Sequence, residues 1–377
     1  MSTKKRRYYI KFAKEKKVNQ NYLERNSLWK RSFKMRETLL KFLRCPSCLS
    51  NSLSLSIDGS NQTEIRSGEI VCNHCSNNYK IEDGIIDFLN NANANVLRER
   101  SAMDDDQYIT DESGNKYKIR NETIEKFKDK LITLPEGDGS YLFKRGGSFQ
   151  STAEASDRFY SALSDLSLTG REKILEIGAC FSYASFKFAK KGCSVVALDI
   201  SNYLRVSDLF IKEAYFDRIF SDMHFMPFVD STYDIVFGSA ILHHSKNLKD
   251  AFKEIRRVLK PGGKLVLINE AARGVFEKIH PVFKQMEEKG FGDTSYAIPE
   301  WIKGAQEGGF KKIRIVFSSL ADDYITRHKN RNSKPSFKIE LAHFFQKNRK
   351  LESFVLFFTV LPRFLFRPKS WKLICYK

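Results

Sequence analysis

The chain has 377 residues, which is too long for one ordinary domain and sufficient for two domains with additional tails. It is 42% hydrophobic and 29% charged, so it can bury a core and is not a disordered polymer. No apolar stretch approaches the roughly 18 residues needed to span a bilayer, and the basic start of the chain lacks the apolar segment of a secretory signal. We therefore expect a cytoplasmic protein, either free or peripheral to the inner face of the membrane.

Positive charge is concentrated at the two ends of the chain. The net charge is +19, of which residues 1–44 contribute +12 and residues 324–377 contribute +11. Such ends are typical of arms that contact a polyanion, either RNA or an anionic membrane, although a solubilising tail has the same composition. We assign residues 1–39 to a basic N-terminal arm and residues 321–377 to a basic, aromatic C-terminal extension. Its apolar run 354–361 is predicted to be an interfacial anchor or a segment packed on the sheet.

Two pairs of cysteines follow the N-terminal arm. Each pair has the spacing Cys-x2-Cys, and 23 residues separate the pairs, which are Cys45 with Cys48 and Cys72 with Cys75. Two intervening residues allow one turn to direct both thiolates at a single point, and tetrahedral Zn²⁺ requires two such turns. We predict a closed, structural Zn²⁺ site in a small domain at residues 40–90 and a reducing compartment. Iron held by the same thiolates is an alternative.

A polar segment separates this small domain from the rest of the chain. Residues 91–150 begin with an Asn- and Ala-rich stretch and are broken by several glycines and by Pro135. We assign them to a linker that could cover a neighbouring site.

From residue 151 onwards, short apolar runs alternate with segments of helical periodicity. The runs have the length and near-continuous apolar character of buried strands in a parallel sheet, and they lie at 173–179, 195–200, 217–222, 233–240 and 264–270. A helix is predicted at Asp250–Lys260, where apolar residues recur at helical spacing and Pro261 ends the pattern. We therefore predict a doubly wound α/β domain at residues 151–320.

The first predicted strand leads into a turn suited to a nucleotide. Glu176 and Gly178 lie at its end, and Asp199 ends the next strand 21 residues after Gly178, where it is placed for ribose hydroxyls. This pattern fits NAD as well as S-adenosylmethionine. The second and third glycines of the dinucleotide fingerprint are replaced by Cys180 and Tyr183, which disfavours NAD.

Three further motifs follow along the chain: the segment Ser221–Phe228, the strand that ends in His243–His244, and the helix followed by Pro261-Gly-Gly. They resemble those of class I S-adenosylmethionine-dependent methyltransferases, in particular the branch of ubiquinone and menaquinone biosynthesis. The resemblance implies a Rossmann-like doubly wound methyltransferase sheet preceded by the small zinc domain, with S-adenosylmethionine as cofactor.

The same resemblance implies a role for each residue of the cofactor site. Glu176, Gly178 and Ser239 would lie at the methionine end, Asp199 would bind the ribose, and Asp222 with Met223 would bind the adenine. The family pattern E-x-G-x-G-x-G has glycines where this chain has Cys180 and Ser182. We expect these side chains to crowd the cofactor, so a non-catalytic cofactor-binding adapter is an alternative to an enzyme.

The cysteine-containing domain carries a resemblance of its own. Cys-Pro-x-Cys, Cys-x-x-Cys and the segment Tyr79–Leu89 are similar to the zinc-ribbon family that serves as activator subunit of several methyltransferases. They are also similar to zinc ribbons fused ahead of some bacterial ribosomal-RNA methyltransferases.

The acceptor of the methyl group is less well defined than the cofactor. His243 and Glu270 are rival candidates for a general base, and Arg273 could hold an anionic acceptor or form a salt-bridged loop. We expect a small-molecule, glycan or lipid-linked acceptor. The alternative is an RNA that contacts the zinc ribbon and the basic ends, although the strand before His243 lacks a base-flipping NPPY or DPPY tetrapeptide. The oligomeric state stays open.

Overall fold

The structure is a computed structural model that describes residues 35–60, 65–106, 108–111, 113–135, 150–317, 319, 321, 324, 337–366 and 371–377. Almost all of the predicted N-terminal arm lies outside these ranges. The same is true of residues 136–149 within the predicted linker.

The strands of the described ranges are β1 (Leu53–Ser60), β2 (Ile65–Cys72), β3 (Asn78–Glu82), β4 (Ile85–Asp87), β5 (Tyr108–Thr110), β6 (Lys116–Lys118), β7 (Lys173–Ile177), β8 (Ser194–Asp199), β9 (Asp217–Phe220), β10 (Tyr233–Ser239), β11 (Leu259–Ile268), β12 (Ala272–Arg273), β13 (Tyr296–Ala297), β14 (Lys312–Phe317) and β15 (Trp371–Tyr376).

Helices alternate with these strands over most of the chain. They span Met35–Leu40, Ala94–Asp106, Asn121–Leu131, Gln150–Leu166, Tyr183–Lys190, Leu248–Val258, Pro281–Glu288, Ile298–Glu307, Phe337–Lys347 and Arg349–Phe366. Short 3₁₀ segments lie at Leu89–Asn91, Asn202–Leu209 and Leu242–His244.

Eleven of the strands form one sheet in the order β1-β2-β3-β4-β9-β8-β7-β10-β11-β15-β14. Its centre, from β9 to β11, is entirely parallel. The near-continuous apolar sequences of these strands are explained by burial on both faces. Phe159, Phe188 and Phe237 pack edge to face on one side, and Phe252 packs with Trp301 on the other. The predicted Rossmann-like doubly wound sheet is confirmed.

The helix Leu248–Val258 shows how local sequence sets this architecture. The Asn247 side chain accepts a hydrogen bond from the backbone N–H of Asp250 at 3.2 Å and so caps the first turn. One apolar stripe is buried against the sheet, and the chain enters β11 at Leu259, before Pro261. The helix therefore lies about two residues earlier than its apolar pattern and Pro261 predict.

The small N-terminal domain and the parallel sheet are continuous. Strand β4 pairs in parallel with β9, and Ile86 lies opposite Ile219. The guanidinium of Arg218, which is fully buried, donates to the backbone carbonyl of Asp83 at 2.7 Å and to the carboxylate of Asp208. The antiparallel hairpins of the small domain thus extend the edge of the larger sheet.

The C-terminal strand corrects one predicted boundary. Strand β15 lies between β11 and β14 and is antiparallel to both, with Leu373 opposite Leu267 and Ile315. The sequence pattern assigns Trp371–Tyr376 to an extension that begins at residue 321, but these residues complete the sheet. The strand was not predicted because basic residues flank its six residues, although five of the six are buried.

Two helices precede this last strand and expose aromatic side chains. Phe354 and Phe358 are 62% and 61% exposed on the helix Arg349–Phe366. Within the described ranges, none of the helices has both the length and the apolar character required to traverse a bilayer. The interfacial anchor stays a prediction.

Candidate functional site

The carboxyl ends of the parallel strands open on a cleft of about 1550 Å³. Parallel strands of one sheet end at the same edge, so the residues that follow them lie close together. All of the residues predicted to bind the cofactor line this cleft, namely Glu176, Gly178, Cys180, Asp199, Asp222, Met223 and Ser239. The predicted general bases His243 and Glu270 do not line it, whereas the neighbouring His244 does.

The turn after β7 requires a glycine at its first position. Gly178 has a φ of +66°, and a Cβ atom there would lie 2.5 Å from the side chain of Ile241. Both the left-handed backbone and the lack of space exclude larger residues.

At the next two glycine positions of the family pattern, this chain keeps the left-handed backbone conformation but carries a side chain. Cys180 and Ser182 have φ values of 46° and 59°. A left-handed conformation costs a residue with a side chain about 1–2 kcal/mol. Only Cys180 lines the cleft, while Ser182 is fully buried. Burial raises the pKa of the Cys180 thiol, so it is neutral at physiological pH.

Glu176 is a buried carboxylate at the floor of the cleft. Its Oε2 atom accepts a hydrogen bond from the backbone N–H of Ser185 at 2.7 Å and another from the hydroxyl of the same residue. Burial raises the pKa of Glu176 to about 8; the bonds from Ser185 oppose this shift, and the charge of Asp199 adds to it. A positively charged group in the cleft would stabilise the ionised carboxylate.

Asp199 and Asp222 are oriented by backbone amides. Asp199 accepts from the N–H groups of Cys180 at 2.7 Å and Ser201 at 2.8 Å. Burial raises its pKa, while these hydrogen bonds oppose the shift. Asp222 accepts from the backbone N–H of His224 at 2.8 Å and from its Nδ1 at 2.7 Å. Each carboxylate therefore has a fixed direction at the cleft wall.

Ser239 belongs to a small polar network that the sequence did not indicate in full. Its hydroxyl accepts from Nδ2 of Asn269 at 2.9 Å, and Asn269 accepts in turn from Nε of Arg158. All three residues line the cleft. Asn269 could have been found because it directly follows β11 at the same sheet edge. Arg158 lies in the helix Gln150–Leu166 and carries no motif.

Glu270 holds the turn that follows β10. Its Oε1 accepts from the backbone N–H groups of Ile241 and Leu242, and its Oε2 accepts from the backbone N–H of His243, each at 3.1 Å. Oε2 also lies 2.9 Å from Nδ1 of His243, and the side chain is only 1% exposed. This geometry favours a role of Glu270 in fixing the turn. A role of Glu270 as general base stays a prediction.

The two consecutive histidines point at one carboxylate. Nε2 of His243 lies 3.5 Å and Nε2 of His244 lies 3.6 Å from Oδ1 of Asp293, while Nδ1 of His244 lies 2.8 Å from Glu99. Burial lowers the pKa of His243, but the contacts with Asp293 and Glu270 outweigh it and raise the pKa to about 9. Nothing in the sequence pattern indicated Glu99 or Asp293, which are distant along the chain.

Arg273 is engaged away from the cleft. Its guanidinium donates to Glu300 at 2.6 Å and to the backbone carbonyls of Ser295 at 3.2 Å and Glu277 at 3.3 Å. The geometry supports the salt-bridged loop rather than the binding of an anionic acceptor.

The four paired cysteines form one cluster in the small domain. Sγ of Cys45 lies 3.6 Å from that of Cys75, and Sγ of Cys48 lies 3.5 Å from that of Cys72. Thiolates at about 2.3 Å from a tetrahedral Zn²⁺ are separated by roughly 3.7 Å, so the cluster fits a closed zinc site. Burial raises the pKa of the Cys45 thiol, but hydrogen bonds from Tyr79 and from backbone amides lower it to about 6.

Comparisons with known proteins identify both domains. Residues 175–267 match a family described as a methyltransferase domain, and residues 36–84 match a family described as Trm112p-like protein. These matches confirm the class I S-adenosylmethionine methyltransferase domain and a Trm112-like zinc ribbon.

Individual relatives have different acceptors in their names. Demethylmenaquinone methyltransferase of Renibacterium salmoninarum is 35% identical over 113 residues, which cover 30% of this chain and 44% of that protein. tRNA U34 carboxymethyltransferase of Hydrogenovibrio crunogenus is 26% identical over 186 residues, which cover 45% of this chain and 54% of that protein. The structure of Haemonchus contortus phosphoethanolamine N-methyltransferase 2 with S-adenosyl-L-methionine has a TM-score of 0.42 and 17% identity. The match covers 70% of this chain and 61% of that chain. The chain thus spans about half the length of the relatives it matches.

Proposed function

We propose that this chain, which contains a methyltransferase domain, transfers the methyl group of S-adenosylmethionine to an acceptor in the described cleft. The observation that carries the proposal is the series of carboxylates Glu176, Asp199 and Asp222, which end or follow three adjacent parallel strands and line one cleft. We propose domain limits of 40–90 for the zinc ribbon and 151–320 with β15 for the methyltransferase domain.

The carboxylates of the cleft support a role in binding each of the three parts of the cofactor. The raised pKa of Glu176 indicates a carboxylate that lacks a positive partner, which the cofactor's ammonium group would supply. Asp199 would accept from the ribose hydroxyls, and Asp222 with Met223 would contact the adenine. When bound, S-adenosylmethionine would supply an electrophilic methyl group on its sulfonium sulfur. The chain would contribute mainly by orienting both reactants.

The size of the cleft supports a second ligand beside the cofactor. Sites for a single small molecule usually measure about 300–1,000 Å³, and this cleft is larger. Leu49 and Phe225, which are 56% and 61% exposed, line it, and Pro46 and Ser47 of the first zinc knuckle do so as well. This partly apolar wall supports a small-molecule, glycan or lipid-linked acceptor.

RNA is the second candidate acceptor. The basic ends of the chain, with surpluses of +12 and +11, support it. The name of the Hydrogenovibrio crunogenus relative also refers to a tRNA substrate.

Methyl transfer into fractionated cell material tests these proposals. The purified chain is incubated with S-adenosylmethionine carrying a labelled methyl group and lysate from cells that lack the protein. We expect label in the lipid, glycan or small-molecule pool, and none with the Asp199→Asn variant. Label confined to RNA and sensitive to salt would contradict the proposed acceptor. Cofactor binding without label in any pool would contradict turnover and favour the adapter.

A further inference from the structure

Five titratable side chains meet beside the cleft and are not used by the proposed cofactor site. They are His243, His244, Asp293, Glu270 and Glu99. The side chains of the first three are 11%, 17% and 13% exposed, and the two histidine rings lie 4.5 Å apart between centroids. The segments that supply them are far apart in sequence, so the fold assembles the cluster.

The outer carboxylates determine how the two rings are oriented. Glu270 lies 2.9 Å from Nδ1 of His243, and Glu99 lies 2.8 Å from Nδ1 of His244. An ionised carboxylate can only accept, so both Nδ1 atoms donate. In the neutral form of each ring, the Nε2 lone pair then faces Asp293.

The inner atoms of the cluster are Nε2 of His243, Nε2 of His244 and Oδ1 of Asp293. The two Nε2 atoms lie 3.5 and 3.6 Å from Oδ1 of Asp293. A proton on one ring can bridge only one of these two contacts, whereas a single bound cation can contact all three atoms.

We propose that His243, His244 and Asp293 bind a divalent first-row metal ion. Ligand atoms at about 2.1 Å from a tetrahedral ion are separated by roughly 3.4 Å, close to the distances between each histidine and the aspartate. The three ligand atoms lie within 4.8 Å of one another. Glu270 and Glu99 then act as the carboxylate partners that orient metal-bound histidines and increase their basicity.

The donor set defines the class of ion and its accessibility. Two imidazoles and one carboxylate suit Zn²⁺, Co²⁺ or Fe²⁺, and they leave coordination positions for water or a ligand. Because His244 lines the cleft, the ion is reachable from it. The binding of the ion does not depend on the proposed function.

Titration with Co²⁺ tests the site directly. The full chain is prepared with zinc retained in the ribbon, and Co²⁺ is added while visible absorption and bound metal are measured. We expect one Co²⁺ per chain with the spectrum of nitrogen and oxygen ligands and without a thiolate charge-transfer band. Asp293→Asn and Glu99→Gln should each weaken binding by about 10–100-fold, since a ligand or its carboxylate partner is lost.

A control separates this result from general histidine binding and from unfolding. His280 is exposed and caps the helix Pro281–Glu288, so His280→Gln should bind Co²⁺ like the wild type. Each variant is compared by circular dichroism melting, and Glu99→Gln keeps the shape of the side chain. No Co²⁺ beyond the ribbon at millimolar concentration, a thiolate band only, or equal affinity in folded Asp293→Asn would overturn the proposal.

Discussion

The two halves of the continuous sheet are stabilised in different ways. Strands β7 to β11 are parallel, apolar and covered by helices on both faces, so burial of large side chains holds them. Strands β1 to β3 form antiparallel hairpins, and the four paired cysteines cluster beside them. A domain of this size rarely has a sufficient core of its own, so a metal replaces part of it.

The junction between the halves depends on charge as well as on strand pairing. Asp83 of the ribbon contacts Arg66, Arg205 and, through its carbonyl, the buried Arg218. Burial raises the pKa of Asp208, but Arg218 and Arg66 outweigh it and keep the pKa below the ordinary value. We therefore expect different substitutions to unfold the zinc ribbon and the parallel half of the sheet.

Loss of a zinc ligand should produce the largest difference between the halves. Cys72→Ser removes one of four thiolates, and structural zinc contributes about 10–16 kcal/mol to small zinc peptides. We expect hydrogen exchange protection in β1 to β3 to be lost and protection in β7 to β10 to be largely retained.

The buried thiol of Cys193, which lies outside the ribbon, provides the control. Cys193→Ser should leave zinc content at the wild-type level. Full protection of β1 to β3 in Cys72→Ser would contradict the dependence of the ribbon on metal.

Removal of the buried charge at the junction should have the next largest effect. Arg218→Met removes the main partner of Asp208, but Arg66 stays and the Asp208 side chain is 39% exposed, so the loss should be about 1.5–3 kcal/mol, the value of hydrogen bonds to a charged group. We expect urea unfolding at a correspondingly lower midpoint at pH 7. The lowered pKa of Asp208 contributes stability above the ordinary aspartate range, and this contribution is lost as the pH falls through its folded value.

The double variant Arg218→Met with Asp208→Leu tests whether the unpaired charge causes the loss of stability. It removes both charges, so it should recover a large part of the stability lost in the single variant. A midpoint of the single variant equal to that of the wild type would mean that strand pairing alone holds the junction.

On the cofactor half, Glu176 should make ligand affinity depend on pH. Because burial raises its pKa to about 8, the carboxylate is mostly protonated at pH 6 and ionises as the pH rises. Affinity for S-adenosylhomocysteine should therefore increase between pH 6 and pH 8. Glu176→Gln should remove this increase and weaken binding at pH 8 by about tenfold, the value of one charge-assisted hydrogen bond.

A ligand without the amino acid end serves as the comparison. Methylthioadenosine should bind the wild type and Glu176→Gln equally in calorimetric titrations. If both ligands lose affinity together, Glu176 supports the cleft rather than the methionine end.

The smallest expected effect concerns the turn after β7. Cys180→Gly removes a side chain from a residue with a φ of 46° and should stabilise the fold by about 1 kcal/mol. It should also raise affinity for S-adenosylhomocysteine, because Cys180 lines the cleft. Thermal melting and calorimetry measure the two effects.

Ser167 is the matched control, since it has a φ of 50° and does not line the cleft. Ser167→Gly should raise the melting temperature without changing affinity. An unchanged or lower affinity of Cys180→Gly would contradict the crowding of the cofactor.

Features encoded by a short pattern could be predicted from the sequence. The apolar runs predicted β7 to β11, and spacing predicted the cysteine cluster, because each depends on residues that are near in sequence. The pairing of β4 with β9 and the insertion of β15 could not be predicted, because several partner strands are equally apolar. Glu99 and Asp293 were missed for the same reason: only the fold brings them to the histidines.

Calorimetric titration of the wild-type chain with S-adenosylhomocysteine tests the central claim most directly. We predict binding of one molecule per chain, weakened at least tenfold in Asp199→Asn, because one orienting carboxylate of the cleft loses its charge. Absence of binding by folded, zinc-loaded protein would contradict the assignment of this cleft to the cofactor.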